Sequence, residues 1–152
     1  MFAQLNANLI GQASDSGGNC YVITQDQLNQ VGGVWYNNPI DFAADFTIYY
    51  QGNFGTKDAN GADGMALVFK RNFQPELGNS GGGLSYEGIS PSLVVEFDTW
   101  QNVDLADPVA DHIAIMRNGI PNHNSSGNNL AGPVQASISN ANIEDGQNHE
   151  IK

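Results

Sequence analysis

Five residues near the middle of the chain have the types and spacing to hold metal ions. Glu96, Asp98, Asn102, Asp107 and His112 follow the pattern E-x-D-x-aromatic-x-N-x4-D-x4-H, with Trp100 at the aromatic position. Their chemistry is that of ion ligands: oxygen donors favour Ca²⁺, and an imidazole among carboxylates suits Mn²⁺ or another transition ion. The geometry follows from an extended backbone. Alternate residues of a strand point the same way, so within "SLVVEFDT" (92–99) Val94, Glu96 and Asp98 share one face and Leu93, Val95 and Phe97 the other. Two partly buried carboxylates whose Cα atoms lie roughly 7 Å apart repel each other. A pair of dications brings four positive charges to three carboxylates and turns that repulsion into attraction.

His112 can join this face if its strand pairs antiparallel with the first. The alternative for each residue is ordinary: loop acids are commonly solvated, and a lone histidine is commonly a core residue. That plain reading is adopted for Asp104 and Asp111, and for His123 and His149, which lack partners at metal spacing and read as surface residues. Pro108 reads as loop geometry after a ligand, and Trp35 and Tyr36 as core.

The elements that must position this cluster are strands. Period-two segments rich in β-branched and aromatic residues occur at 2–6, 20–24, 33–36, 45–51, 64–70, 92–99, 112–116, 134–139 and 149–152, between Gly, Asn, Asp and Pro clusters. Nine short strands without a long helical pattern predict an all-β, antiparallel sandwich; 25–33 and 41–46 could each form one helical turn. Long polar loops at 52–61, 72–91, 101–111 and 117–132 are where function is expected. Gly-rich "NSGGG" (79–83) lets another molecule approach the backbone.

Composition narrows the partners. The 152 residues carry five Lys and Arg against sixteen Asp and Glu, a formal charge of −11. Phosphate binding needs clustered cations, so nucleic acid is disfavoured. No apolar run is long enough to cross a bilayer, so membrane insertion is not expected, and no signal peptide is visible.

The E-x-D-x-W-x-N-x4-D-x4-H spacing resembles the metal signature of the legume-type (L-type) lectins, in a form similar to their bacterial branch. The resemblance extends along the chain, from "FAQLN" through "GVWYNNPIDFAADFTIYY" to "NIEDGQNHEIK". It implies a jelly-roll, concanavalin A-like sandwich that binds carbohydrate without catalysis. Glu96, Asp98, Asp107 and His112 would hold the transition ion, Mn²⁺ or a relative. Asp98 and Asp107 would bridge to Ca²⁺, completed by the Trp100 carbonyl and the Asn102 side chain.

"NGADGMALVF" resembles the family's Ala-Asp-Gly segment, which makes Asp63 the main acceptor for sugar hydroxyls and implies a cis bond between Ala62 and Asp63. "GGGLSYEGI" resembles the Gly-rich loop whose backbone donates to the sugar, Gly83 first and Gly82 next; the alternative is a simple turn. Asn102 would give its oxygen to Ca²⁺ and its NH2 to the sugar. The Trp100 ring, with Tyr86 in reserve, would form the apolar platform.

Glycans or glycoconjugates are thus the expected partners, and an extracellular or cell-surface location is expected. Family members continue with further strands, so residues 1–152 are expected to be an incomplete lectin domain of a longer chain, with the mate of Cys20 beyond Lys152; a homo-oligomer or a larger multidomain parent would supply several sites. Two rivals remain. Laminarinase-like glycoside hydrolases of the same architecture carry E-x-D-x-E on one strand, where Trp100 here replaces the second Glu. A calcium-stabilised adhesion module without sugar specificity is the other.

Overall fold

A computed structural model describes residues 5–152. It contains ten strands: β1 Ala7–Gly11, β2 Ser14–Gly17, β3 Cys20–Val22, β4 Gly32–Tyr36, β5 Tyr50–Gly52, β6 Gly64–Lys70, β7 Ser92–Asp98, β8 His112–Arg117, β9 Asn129–Gln135 and β10 His149–Ile151. The only helical elements among the described residues are single 3-10 turns at Gly81–Gly83 and Val103–Leu105. Every strand pairing is antiparallel. The fold is therefore all-β, as the period-two pattern predicts.

A four-stranded sheet in the order β6-β7-β8-β9 forms the centre, beside the pairs β1-β4, β2-β3 and β5-β10. β7 lies between two strands, and its near-continuous apolar sequence matches a position buried on both faces. Leu84 and Tyr86, from the segment before β7, cover one face and form a buried cluster with Val94, Ala114 and Met116, flanked by Ala66 and Val68. On the opposite face Leu93, Val95 and Phe97 line an apolar groove together with Phe42, Phe46 and Phe69. Phe42 and Phe69 meet edge to face at 5.3 Å.

Several expectations need correction. The segment 2–6 lies partly outside the described residues, and the first strand is β1, at 7–11, whose Asn8 broke the apolar pattern. β2, "SDSG", is polar and fully exposed, so nothing in its sequence marks it as a strand. Of the 45–51 strand only its end survives, in β5, and no helix forms at 25–33, which has bends and a turn before entering β4, or at 41–46, which has a turn. The segment 134–139 is displaced to β9, 129–135, which contains Gly132 and Pro133. Proline removes a ladder donor and is confined to edges, and β9 is an edge of the central sheet. Tyr36 is 48% exposed and is not core, whereas Trp35 is half-buried with its Nε1 donating to the Glu76 carbonyl at 3.0 Å.

Candidate functional site

The register of the central sheet assembles the cluster. Glu96 lies opposite Ala66 on β6 and Ala114 on β8, and Asp98 lies opposite Gly64 and His112. Small neighbours leave space beside both carboxylates, and the antiparallel pairing puts His112 on the carboxylate face. Glu96, Asp98, Asp107 and His112 are all buried.

The loop after β7 folds back on itself. Asp98 Oδ1 accepts from the Trp100 N–H at 2.8 Å, and Asp107 Oδ2 accepts from the Asn102 N–H at 2.7 Å. The 3-10 turn at 103–105 closes the loop, with the Leu105 N–H donating to the Asn102 carbonyl at 2.9 Å. Asp107 Oδ1 then lies 4.0 Å from His112 Nε2. Asp98, Asp107 and His112 each offer a ligand atom within 4.8 Å of the others, and so do Glu96, His112 and His123.

Three atoms of this cluster are buried and make no hydrogen bond: Asn102 Oδ1, His112 Nε2 and, from a neighbouring loop, His123 Nδ1. An unsatisfied buried polar atom costs about 1–3 kcal/mol. An amide oxygen and an imidazole nitrogen left bare among carboxylates are the donors that a Ca²⁺ ion and a transition ion take, so the residues present fit both ions.

His123 is the residue that sequence reasoning missed. It is not a surface side chain: its Nε2 lies 2.5 Å from Glu96 Oε1, and its Nδ1 lies 3.2 Å from Asp107 Oδ1 without a hydrogen bond. Its ring meets that of His112 at 5.0 Å. The loop from 118 to 128 delivers it, and spacing from His112 could not reveal that closure.

Burial sets the charges. It pushes the Asp98 carboxyl up to about 8, reinforced by the Asp107 and Glu96 charges against the Trp100 N–H bond. Burial also lowers His112, opposed by the Asp107 charge. At His123 burial acts downward too, but the contacts with Asp107 and Glu96 outweigh it and raise the imidazole to about 10. Without ions, then, the Asp98 carboxyl is biased toward its protonated form and the His123 ring toward its imidazolium.

Tyr86 and Asp111 also differ from expectation. Tyr86 is fully buried and its hydroxyl lies 2.5 Å from Glu96 Oε2, so it supports the site from within and offers no sugar platform. Tyr86→Phe should cost about 1–3 kcal/mol in denaturant unfolding, because a buried carboxylate oxygen loses its donor. Asp111 is buried where Ala136–Glu144 folds over the end of β8, and its Oδ2 accepts from the Ile143 N–H at 2.7 Å. His149 is half-buried, with Nε2 3.0 Å from Asp145 Oδ1. Asp104 is exposed, as read.

The loops expected to meet a ligand lie at the same end of β7. The Ala62–Asp63 bond is cis, and the Asp63 carbonyl accepts from the Thr99 N–H at 2.9 Å. The Asp63 side chain is half-buried, and burial raises its pKa. Gly64, φ +128°, has the backbone of Phe97 where a Cβ would stand, so a side chain there collides with β7. Gly82 lies against Asn102: a Cβ on it would be 2.6 Å from Asn102 Oδ1. Gly83 is buried beside Glu87, and Trp100 is 40% exposed. Asp63, Asn102 and Gly82 thus flank the Asp98 end of the strand, and Trp100 lies between Asp98 and Asn102 in sequence.

Comparison with known proteins agrees with this architecture. The chain is 35% identical over 97 residues to the pesticidal crystal protein Cry22Aa of Bacillus thuringiensis, covering 64% of this chain and 13% of that protein. It is 29% identical over 118 residues to a galactose-binding lectin of Arachis hypogaea, covering 69% of this chain and 43% of the lectin. The chain therefore spans less than half the length of either relative. The legume lectin β-barrel domain family matches residues 2–152. The chain belongs to that family.

Proposed function

We propose that this chain binds carbohydrate, without catalysis, through a site shaped by divalent ions. Glu96, Asp98, Asp107 and His112 hold a transition ion; Asp98, Asp107, the Asn102 side chain and the Trp100 carbonyl hold Ca²⁺. The ions perform no chemistry on the sugar; they neutralise the acids and fix the loop after β7. Asp63 accepts from sugar hydroxyls, the Gly82–Gly83 backbone and the Asn102 NH2 donate, and the Trp100 ring covers an apolar C–H face. The observation that carries the reading is the pair of orphaned buried donors, Asn102 Oδ1 and His112 Nε2, within an acid cluster at the end of β7 that Asp63 and Gly82 flank.

Affinity per site is expected to be weak, so avidity from several sites, in a homo-oligomer or a larger parent chain, carries the function. Glycoconjugates outside the cell or at its surface are the partners this chemistry fits, and galactose is the first sugar to offer, given the name of the Arachis relative. The test is a glycan array carrying galactose, glucose and mannose ligands, probed with Ca²⁺ and Mn²⁺ present and again after chelation. Binding that disappears on chelation is expected. A chelation-sensitive fold that never binds a glycan would instead make this a structural adhesion module, and release of reducing sugar would make it a hydrolase.

Gly82→Ala should also weaken glycan binding, because its Cβ displaces the Asn102 amide. Titration of glycan and of Ca²⁺ should both report the loss, about tenfold or more, with unfolding by denaturant changed little.

A further inference from the structure

We infer that His123 is itself a ligand of the transition-ion site, giving that site two imidazoles and a preference for nitrogen-seeking ions. This rests on the reading of a transition-ion site given above and extends its donor set.

The His123 side chain is 3% exposed, and its backbone is tied to the metal loop through its N–H and to β9 through its carbonyl. Its N–H donates to the Leu105 carbonyl at 2.9 Å, within the turn between Asn102 and Asp107. The neighbouring Asn122 side chain donates to the Asp104 carbonyl at 3.0 Å, and the Asn129 side chain donates to the His123 carbonyl at 3.0 Å. The ring is therefore held in place rather than swung in by chance.

Its two nitrogens face the carboxylates of Glu96 and Asp107, and its ring stands nearly perpendicular to that of His112, at 77°. Glu96, His112 and His123 bring their ligand atoms within 4.8 Å of one another. An ion gathered by Glu96, Asp107 and His112 takes away the carboxylates that His123 contacts. A buried ring deprived of both partners must leave the site or enter the ion's shell, and the backbone anchors oppose leaving.

The donor set then comprises Glu96, Asp98, Asp107, His112 and His123. Two imidazoles favour Zn²⁺, Co²⁺, Ni²⁺ or Cu²⁺, whereas Mn²⁺ fits a site richer in oxygen. The Ca²⁺ set is all oxygen and gains nothing from His123.

The test uses the whole chain loaded with Cu²⁺ and, separately, titrated with Co²⁺ and Ca²⁺. Electron paramagnetic resonance of the Cu²⁺ form should show coupling to two nitrogens, and to one in His123→Ala. Co²⁺ affinity should fall about tenfold or more in that variant, while Ca²⁺ affinity changes less than about threefold. His123→Asn, which keeps a polar side chain, replaces the Ala variant if the latter does not fold; the wild-type spectrum decides in either case. A one-nitrogen wild-type spectrum with Co²⁺ affinity unchanged by substitution overturns the role of His123 and leaves the ion site standing. Failure of the wild-type chain to bind Co²⁺, Cu²⁺ or Ca²⁺ overturns both.

Discussion

Asp63→Ala should abolish measurable glycan binding while leaving the chain folded and its ion affinities close to those of the wild type. Asp63 is half-buried at the start of β6, and its structural contact with β7 is made by the main-chain carbonyl, which accepts from Thr99. Substitution keeps that bond. What it removes is the carboxylate, the proposed acceptor for sugar hydroxyls. Hydrogen bonds to a charged group contribute about 1.5–3 kcal/mol each, so losing two should weaken binding by at least about 100-fold. Removing the Asp63 charge also takes away one of the repulsions that raise the Asp98 carboxyl. Calorimetric titration with the best array ligand, beside denaturant unfolding of the same variant, measures both halves. Retained glycan affinity in a folded Asp63→Ala protein moves the sugar site elsewhere.

The ion-free chain should lose stability as pH rises, and divalent ions should reverse that loss. Asp98 is raised from 3.8 to about 8 and His123 from 6.5 to about 10 in the folded state. For both, the folded state binds the proton more tightly than the unfolded chain. Stability from each is complete below its unfolded value and disappears as pH climbs to its folded value, so Asp98 acts between about pH 4 and 8 and His123 between about 6.5 and 10. At about 1.4 kcal/mol per pH unit, the Asp98 shift alone corresponds to a loss on the order of 6 kcal/mol, a large share of the roughly 5–15 kcal/mol that holds a typical domain together. Ions bind the ionised carboxylate and so gain affinity over the range in which the bare cluster weakens. Thermal unfolding from pH 5 to 9, in chelator and with saturating Ca²⁺ and Mn²⁺, should give a falling curve in the first case and a nearly flat one in the second. Parallel curves would mean that ions do not hold these acids.

The part of this structure most legible in its sequence is the part with strict periodicity. β6, β7 and β8 are readable because apolar runs bounded by turn residues mark the strands and the extended backbone fixes which side chains share a face; the register that sets Asp98 opposite His112 comes from the structure. The cis bond at Ala62–Asp63 was legible only through the family resemblance. Less could be read where long-range closure decides the environment. Tyr86 and His123 both reach Glu96 from loops, and Asp111 is covered by the segment around Ile143. No local pattern distinguishes such residues from exposed loop residues of the same type. β2 and β9 were obscured differently, the first by wholly polar residues and the second by a Gly-Pro pair inside an edge strand.

The proposed work of the dications is to make the crowded acids around Asp98 tolerable and thereby to form the sugar pocket. Its most direct test is a calorimetric titration of the stripped chain, first with Ca²⁺ and a transition ion and then with glycan. The stripped chain is expected to take up both ions, to release protons as it does so, and to bind glycan only afterwards. Equal glycan binding by the stripped and the loaded protein would contradict that role.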